Sequence, residues 1–385
     1  MNELSEKISR EIAVQGAITF ARFMELALYC PDTGFYEKDD DTIGRRGDFY
    51  TSVSVGPVFG ELLAFQIADW IIPSAGRRGS SKSDAEPRLK ADVEQVSDSR
   101  FLLIEAGAHK GWLAKDILTW LSRRRPELTQ RIEYWIVEPS IRRRHWQNET
   151  LEEFSAHVHW ADSLAMVERA KAGLTGVIIA NELLDAMPVH RLGWDARRQV
   201  WFEWGVAWKD GEYAWVRLPQ APASLCMTPC ASQELLNVLP DGFTTEVCPL
   251  AAQWWSDAAG ILQRGKLMTF DYGLEGEAFF TPHRAQGTLR AYRNHRQSSE
   301  VFADPGQQDL TAHVNFSMIR NAGEAAGLRT ESFATQAQFL TGIAERFWKE
   351  PVRNGPWTAS QCREFKTLIH PQHLGRAFRV LLQAR

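Results

Sequence analysis

The sequence predicts an α/β protein: a doubly wound, mostly parallel sheet with an N-terminal helical segment and an inserted lobe. Three observations predict it. Apolar runs of strand length alternate with stretches of helical period from Arg100 onward, as buried parallel strands and their crossover helices require. An aromatic-rich hairpin pattern then interrupts the alternation. A further buried run, "KLMTFDYG", resumes it near the C-terminal third.

Composition bounds the function. The 385 residues are 44% hydrophobic and 24% charged, which suits a globular core with an appended lobe. A net charge of −4 disfavours a nucleic-acid partner, which needs a basic footprint. The five cysteines are odd in number, scattered, and without a CxxC pair, so no metal site is expected. Pro229 interrupts the one close pair, Cys226 and Cys230. No apolar run has membrane-spanning length, and "MNELSEKISREIAVQG" lacks the core of a signal peptide. A cytoplasmic protein is the expectation.

The elements follow in order. Residues 1–72 read as two helices, Leu4–Gln15 and Phe20–Tyr29, then a long loop of glycine, aspartate and aromatic residues and a further helix. Residues 73–99 form a polar insertion without a core of its own. Residues 100–190 carry the strands "RFLLIEAG", "EYWIVEPS", "HVHWADS" and "GVIIANELL" between helical stretches. In the lobe, 191–264, "KDGE" sits between two aromatic runs and marks a hairpin with a type I′ turn. "PLAAQWWSDAAGILQRG" predicts a helix capped by Gly265. Residues 265–385 return to the core with a polar-aromatic loop, helices and a final strand, "FRVLLQA".

The strand ends carry the candidate chemistry. The first strand closes on Glu105 and Gly107, with Gly111 before its helix and His109 at the middle of the loop. The second ends in Glu138, the third reaches Asp162, and the fourth reaches Asn181 and Glu182. Open α/β sheets bind ligands at this carboxyl edge, and an acid after the second strand can take both hydroxyls of a ribose. A side chain at 109 disfavours a tightly cradled pyrophosphate. Glu105 favours a cationic sulfonium and ammonium, so charge prefers S-adenosylmethionine to a nicotinamide dinucleotide.

With "ITFARFMELALYCPDTGFY", "GRRGDFYTS", "IEAGAHKG", "VEPS", "NELLDAMPVHR", "FDYG", "GTLRAYRNHR" and "DPGQQDLTAHVNFS", the protein resembles the MidA-like methyltransferases over nearly its whole length. That family includes mitochondrial complex I assembly enzymes that dimethylate an arginine. The resemblance implies a class I, Rossmann-like methyltransferase sheet and S-adenosyl-L-methionine as cofactor. It implies that Glu105, Gly107, His109, Gly111, Glu138, Asp162 and Asn181 bind the donor. Gly47, Asp48, Tyr50 and Thr51 would close over it. Glu182 and Asp185 would orient a guanidinium, with a cap on the turn before Met187-Pro188 as the lesser reading of Asp185. His313 would touch the acceptor or pin its loop to Asp309. The partner implied is a protein substrate, for the mitochondrial members a respiratory-complex subunit. Two positions depart from the family pattern: His109 replaces the middle loop glycine, and Ser54 stands where a glutamate is usual. A methyltransferase-like scaffold binding a protein partner remains the alternative, with a nicotinamide-dependent oxidoreductase as a third.

Overall fold

A computed structural model describes residues 2–38, 51–71, 100–171, 173–218, 222–226, 232–293 and 296–385. The N-terminal helices α1 (Glu3–Gln15) and α2 (Phe20–Tyr29) flank the short strand β1 (Ile18–Thr19). Side-chain oxygens fix both helix starts: Asn2 accepts from the Ser5 amide and Thr19 from the Arg22 amide. Helix α3 (Val58–Ile71) precedes the main sheet.

That sheet begins with β2 (Phe101–Ala106), helix α4 (Trp112–Arg124), β3 (Ile132–Val137), α5 (Ile141–Thr150) and β4 (Val158–Ala161). Helix α6 (Leu164–Ala170) and β5 (Leu174–Asn181) follow. The backbone then makes β6 (His190–Asp195), β7 (Val200–Lys209), β8 (Glu212–Arg217) and β9 (Thr244–Val247). It returns through α7 (Pro249–Ile261) to β10 (Leu262–Leu274). Three short strands, β11 (Arg290–Arg293), β12 (Arg296–Ser298) and β13 (Asp309–Thr311), precede β14 (Val314–Asn315) and α8 (Phe316–Ala325). The end is β15 (Arg329–Thr335), α9 (Gln336–Phe347), α10 (Ala359–Ile369) and β16 (Phe378–Ala384).

The main sheet runs β15-β16-β10-β5-β2-β3-β4. The pairs from β10 through β5, β2 and β3 to β4 are parallel, while β16 runs antiparallel between β10 and β15. Alternate side chains divide into two cores, as the period of a strand dictates. Leu103, Val177 and Met268 pack under α3, α4 and α9. Leu102, Ile178 and Leu267 pack under α7 and α8 through Trp255 and Ile319. Both faces are therefore covered by helices, which is the doubly wound arrangement expected from the sequence. After β2 the backbone steps outward to β3 and β4, then returns to the other side of β2 as β5. That reversal opens a crevice at the carboxyl ends of β2 and β5.

A second, antiparallel sheet (β1-β7-β6-β9, with β8 on β7) and a third (β12-β11-β13) stand over this edge. Asp210 and Gly211 both have positive φ, 52° and 88°, so the β7–β8 hairpin turns as its sequence requires. The Gly265 cap does not form. Helix α7 ends at Ile261 with Leu262 as its cap, and Gly265 lies inside β10 at φ 138°. A Cβ there would stand 1.8 Å from the Gly176 carbonyl oxygen on β5, so the glycine serves the close approach of two strands. Among the described residues no helix is long and apolar enough to cross a membrane.

Candidate active site

One cleft of about 2730 Å³ runs along the carboxyl edge of the main sheet. It is lined by Thr51, Glu105, Gly107, His109, Glu138, Asp162, Asn181, Glu182, Asp185 and His313. Gly111 lies just outside it as the N-cap of α4. Gly47, Asp48 and Tyr50 fall outside the described residues.

The half of the cleft over β2, β3 and β4 is built from the glycine loop. Gly107, His109 and Gly111 all have positive φ, at 73°, 47° and 79°. Glycine adopts this freely, whereas a histidine there carries backbone strain. A Cβ at Gly107 would meet Leu183 Cδ1 at 2.9 Å. Gln147 Nε2 donates to the His109 carbonyl oxygen at 2.9 Å, and the His109 ring lies 5.9 Å from that of Trp146. Glu105 is buried at the end of β2 and accepts from the Tyr134 hydroxyl at 2.6 Å. Its burial pushes the carboxyl up to about 7.

Glu138, after β3, is also buried. Its oxygens accept from the Ser140 amide at 3.0 Å and Gln147 Nε2 at 3.3 Å, with Arg143 Nε at 3.6 Å. Burial raises its pKa against the pull of Arg143. Asp162 sits exposed on the rim, bonded to Arg144. Thr51 and Ser54 close a tight turn on each other, with the Thr51 amide donating to Ser54 Oγ at 3.0 Å. The Asn181 Oδ1 is buried without a hydrogen-bond partner.

Beyond Glu182 the cleft becomes acidic and aromatic. Glu182 itself has φ 51°, an uncommon conformation for this residue type. Its amide donates to the Phe270 carbonyl oxygen at 2.8 Å. Its Oε1 accepts from the Ser52 amide at 3.1 Å and from Asn181 Nδ2 at 3.2 Å. Desolvation pushes this carboxyl up to about 8, with Asp185 adding repulsion. Asp185 is buried and raised well above the usual range, first by burial and then by Asp271 and Asp309. Its backbone carbonyl accepts from the Ala312 amide at 3.0 Å, which ties the loop after β5 to that after β13.

Sequence reasoning missed part of this constellation. Asp271, near the end of β10 in "FDYG", is fully buried and accepts from the Leu184 and Tyr272 amides at 2.8 and 2.9 Å. It thereby holds the very turn that carries Asp185. As a polar residue ending an apolar run, it obeyed the rule used for the other strands. Tyr36 donates to Asp309 Oδ1 at 2.8 Å across 273 residues of sequence, and no local pattern could have revealed that. Tyr29, Tyr272 and Tyr292 complete the aromatic wall. His313 does not pin its loop to Asp309. Its amide donates to Thr288 Oγ1 at 3.1 Å, and its ring Nδ1 is buried without a partner.

A glycine loop entering a helix, buried acids after successive parallel strands, and one antiparallel strand near the sheet edge define a methyltransferase-type protein. Residues 89–334 match the family described as S-adenosyl-L-methionine-dependent methyltransferases, and the protein belongs to that family. Its donor is accordingly S-adenosylmethionine, and the nicotinamide alternative falls. The sequence is 29% identical over 405 residues to protein arginine methyltransferase NDUFAF7, mitochondrial, of Mus musculus, covering 96% of this protein and 81% of that one. It is 27% identical over 352 residues to the Drosophila melanogaster homolog, covering 84% and 70%. A structure from Burkholderia thailandensis bound to S-adenosyl-homocysteine superposes with a TM-score of 0.79 at 31% identity, over 99% of this protein and 92% of that one. The expectation of a cytoplasmic protein does not stand, because these fly and mouse relatives are mitochondrial proteins.

Proposed function

We propose that this methyltransferase acts on a guanidinium nitrogen of an arginine in a protein substrate. One observation carries the reading: the cleft that holds the glycine loop and Glu138 continues into a pocket walled by Glu182, Asp185 and Asp309 and backed by Asp271. Buried carboxyls held partly protonated by desolvation are costly unless a cation joins them. A guanidinium is planar, always charged and forked, and so it matches several convergent carboxylates better than an ammonium does. The names of the fly and mouse relatives, both protein arginine methyltransferases, support the same acceptor.

The donor half fits its group on structural grounds. Glu105 and the unpartnered Asn181 Oδ1 are acceptors suited to an ammonium, and the Glu138 carboxylate would take a ribose diol. His109 turns its ring onto Trp146, leaving the loop backbone to the donor. When bound, S-adenosylmethionine supplies a methyl group on a sulfonium, open to in-line displacement. Glu182 and Asp185 orient the guanidinium so that one nitrogen faces that carbon. The proton that the guanidinium nitrogen loses on accepting a methyl group would pass to one of these carboxylates. A pKa near 8 at Glu182 makes it a competent acceptor for that proton. Asp271 stays behind the turn and fixes its geometry.

The test is transfer of a labelled methyl group to paired peptides that carry either one arginine or one lysine. Label on an arginine side-chain nitrogen, located by fragmentation mass spectrometry, is the expected result. Label on lysine alone, or on neither peptide, would overturn the arginine reading.

A further inference from the structure

The cleft wall formed by β11 and β13 carries charges of both signs. Strand alternation brings Arg290 and Tyr292 of β11, with Asp309 and Thr311 of β13, to the cleft. Ala291 and Leu310 point the other way, into the core against α1 and α2. Asp309 already accepts from Tyr36. Among the described residues the Arg290 guanidinium, by contrast, makes one hydrogen bond, from Nη1 to the Leu289 carbonyl oxygen at 2.7 Å. It is half-buried and forms no ion pair with a carboxylate among the described residues. His313 lines the same cleft, where the charges of Arg284 and Arg290 both act on its ring, and its buried Nδ1 has no partner.

A cation in this position works against the proposed reaction, because it repels an incoming guanidinium. It becomes useful when the substrate brings a carboxylate with its arginine, since the same repulsion then rejects arginines that lack one. We propose that Arg290, with His313 in the same cleft, forms an anion subsite that selects protein substrates presenting a carboxylate close to the acceptor arginine. The inference rests on the arginine reading above. Arg290 can grip the carboxylate through two parallel N–H donors, and the Nδ1–H tautomer of His313 can add a third. The carboxylate belongs to an aspartate or glutamate residue or to the C-terminus of the substrate.

The experiment uses C-terminally amidated peptides with one arginine and a glutamate at each position within three residues of it. A matched glutamine series and a series with a free C-terminal carboxylate complete the set. At one position, or with the free terminus, kcat/KM should rise at least tenfold over the uncharged partner, chiefly through KM. Arg290→Gln should erase that preference while S-adenosyl-homocysteine binds as in the wild type. Arg290→Glu should invert it, so that the uncharged partner peptide is turned over faster than the carboxylate one. Equal rates on the glutamate, glutamine and free-terminus series would overturn the subsite while leaving arginine methylation intact. So would an equal loss on every peptide in Arg290→Gln, which marks a structural role. Loss of S-adenosyl-homocysteine affinity in that variant would assign Arg290 to the donor instead. Absence of arginine label from every peptide would overturn the arginine reading and the subsite with it.

Discussion

Glu138 and His109 carry the residue-scale argument on the donor side. Glu138 is buried and lines the cleft, yet its neighbours Ser140 and Gln147 already bond it. If it also takes the ribose diol, Glu138→Ala should weaken S-adenosyl-homocysteine binding by about 1.5–3 kcal/mol for each charged hydrogen bond lost. Titration calorimetry measures this, and an unchanged affinity would remove Glu138 from the ribose site. His109 is a different case. Its φ of 47° costs on the order of 1 kcal/mol for a non-glycine residue, partly offset by its contact with the Trp146 ring. His109→Gly should therefore leave donor affinity within a factor of about two of the wild type and change stability by less than about 1 kcal/mol. Weaker binding in the variant would make the imidazole itself a donor contact. From the sequence alone, the position of His109 was legible but its backbone conformation and its Trp146 neighbour were not.

Among the elements, those with strong periodicity were legible in the sequence. Helix α2 and strand β16 match the predicted segments residue for residue, because their apolar patterns are bounded by clear breaks. The error at Gly265 has a simple cause. A glycine after a helical stretch reads as a cap, whereas here α7 runs into β10 without a loop and the glycine relieves a contact between strands. Gly265→Ala should destabilise the protein by more than about 2 kcal/mol, since a methyl group 1.8 Å from a backbone oxygen cannot be accommodated without moving β5 or β10. A thermal midpoint equal to the wild type's would contradict that account. The small sheet β12-β11-β13 and its join to Asp185 were invisible for another reason. Their strands are three or four residues long, and their partners are distant in sequence.

At the scale of the whole molecule, the cleft gathers carboxyls whose pKa values burial has raised. Glu105 titrates at about 7 and Glu182 at about 8, each against 4.5 when exposed, and Asp185 and Asp271 shift in the same direction. Between pH 4.5 and 8 the folded protein thus holds more protons at these sites than the unfolded one does, so their contribution makes stability fall as pH rises. His313 acts oppositely: burial holds it down to about 4 from 6.5, and its contribution is lost as pH falls through that window. Four raised carboxyls outweigh one depressed histidine, so the thermal midpoint of the substrate-free protein should fall continuously from about pH 5 and be several degrees lower by about pH 8.5. A midpoint that climbs over that interval would contradict the buried-carboxylate description. The same cluster underlies the central claim, that one cleft holds the donor and, beside it, carboxylates that prepare the acceptor. Asp185→Asn tests it most directly, with methyl transfer to an arginine peptide and S-adenosyl-homocysteine affinity measured on the same preparation. The account predicts that transfer is abolished while donor affinity stays within a factor of about two. Parallel loss of both, or transfer that survives, would contradict it.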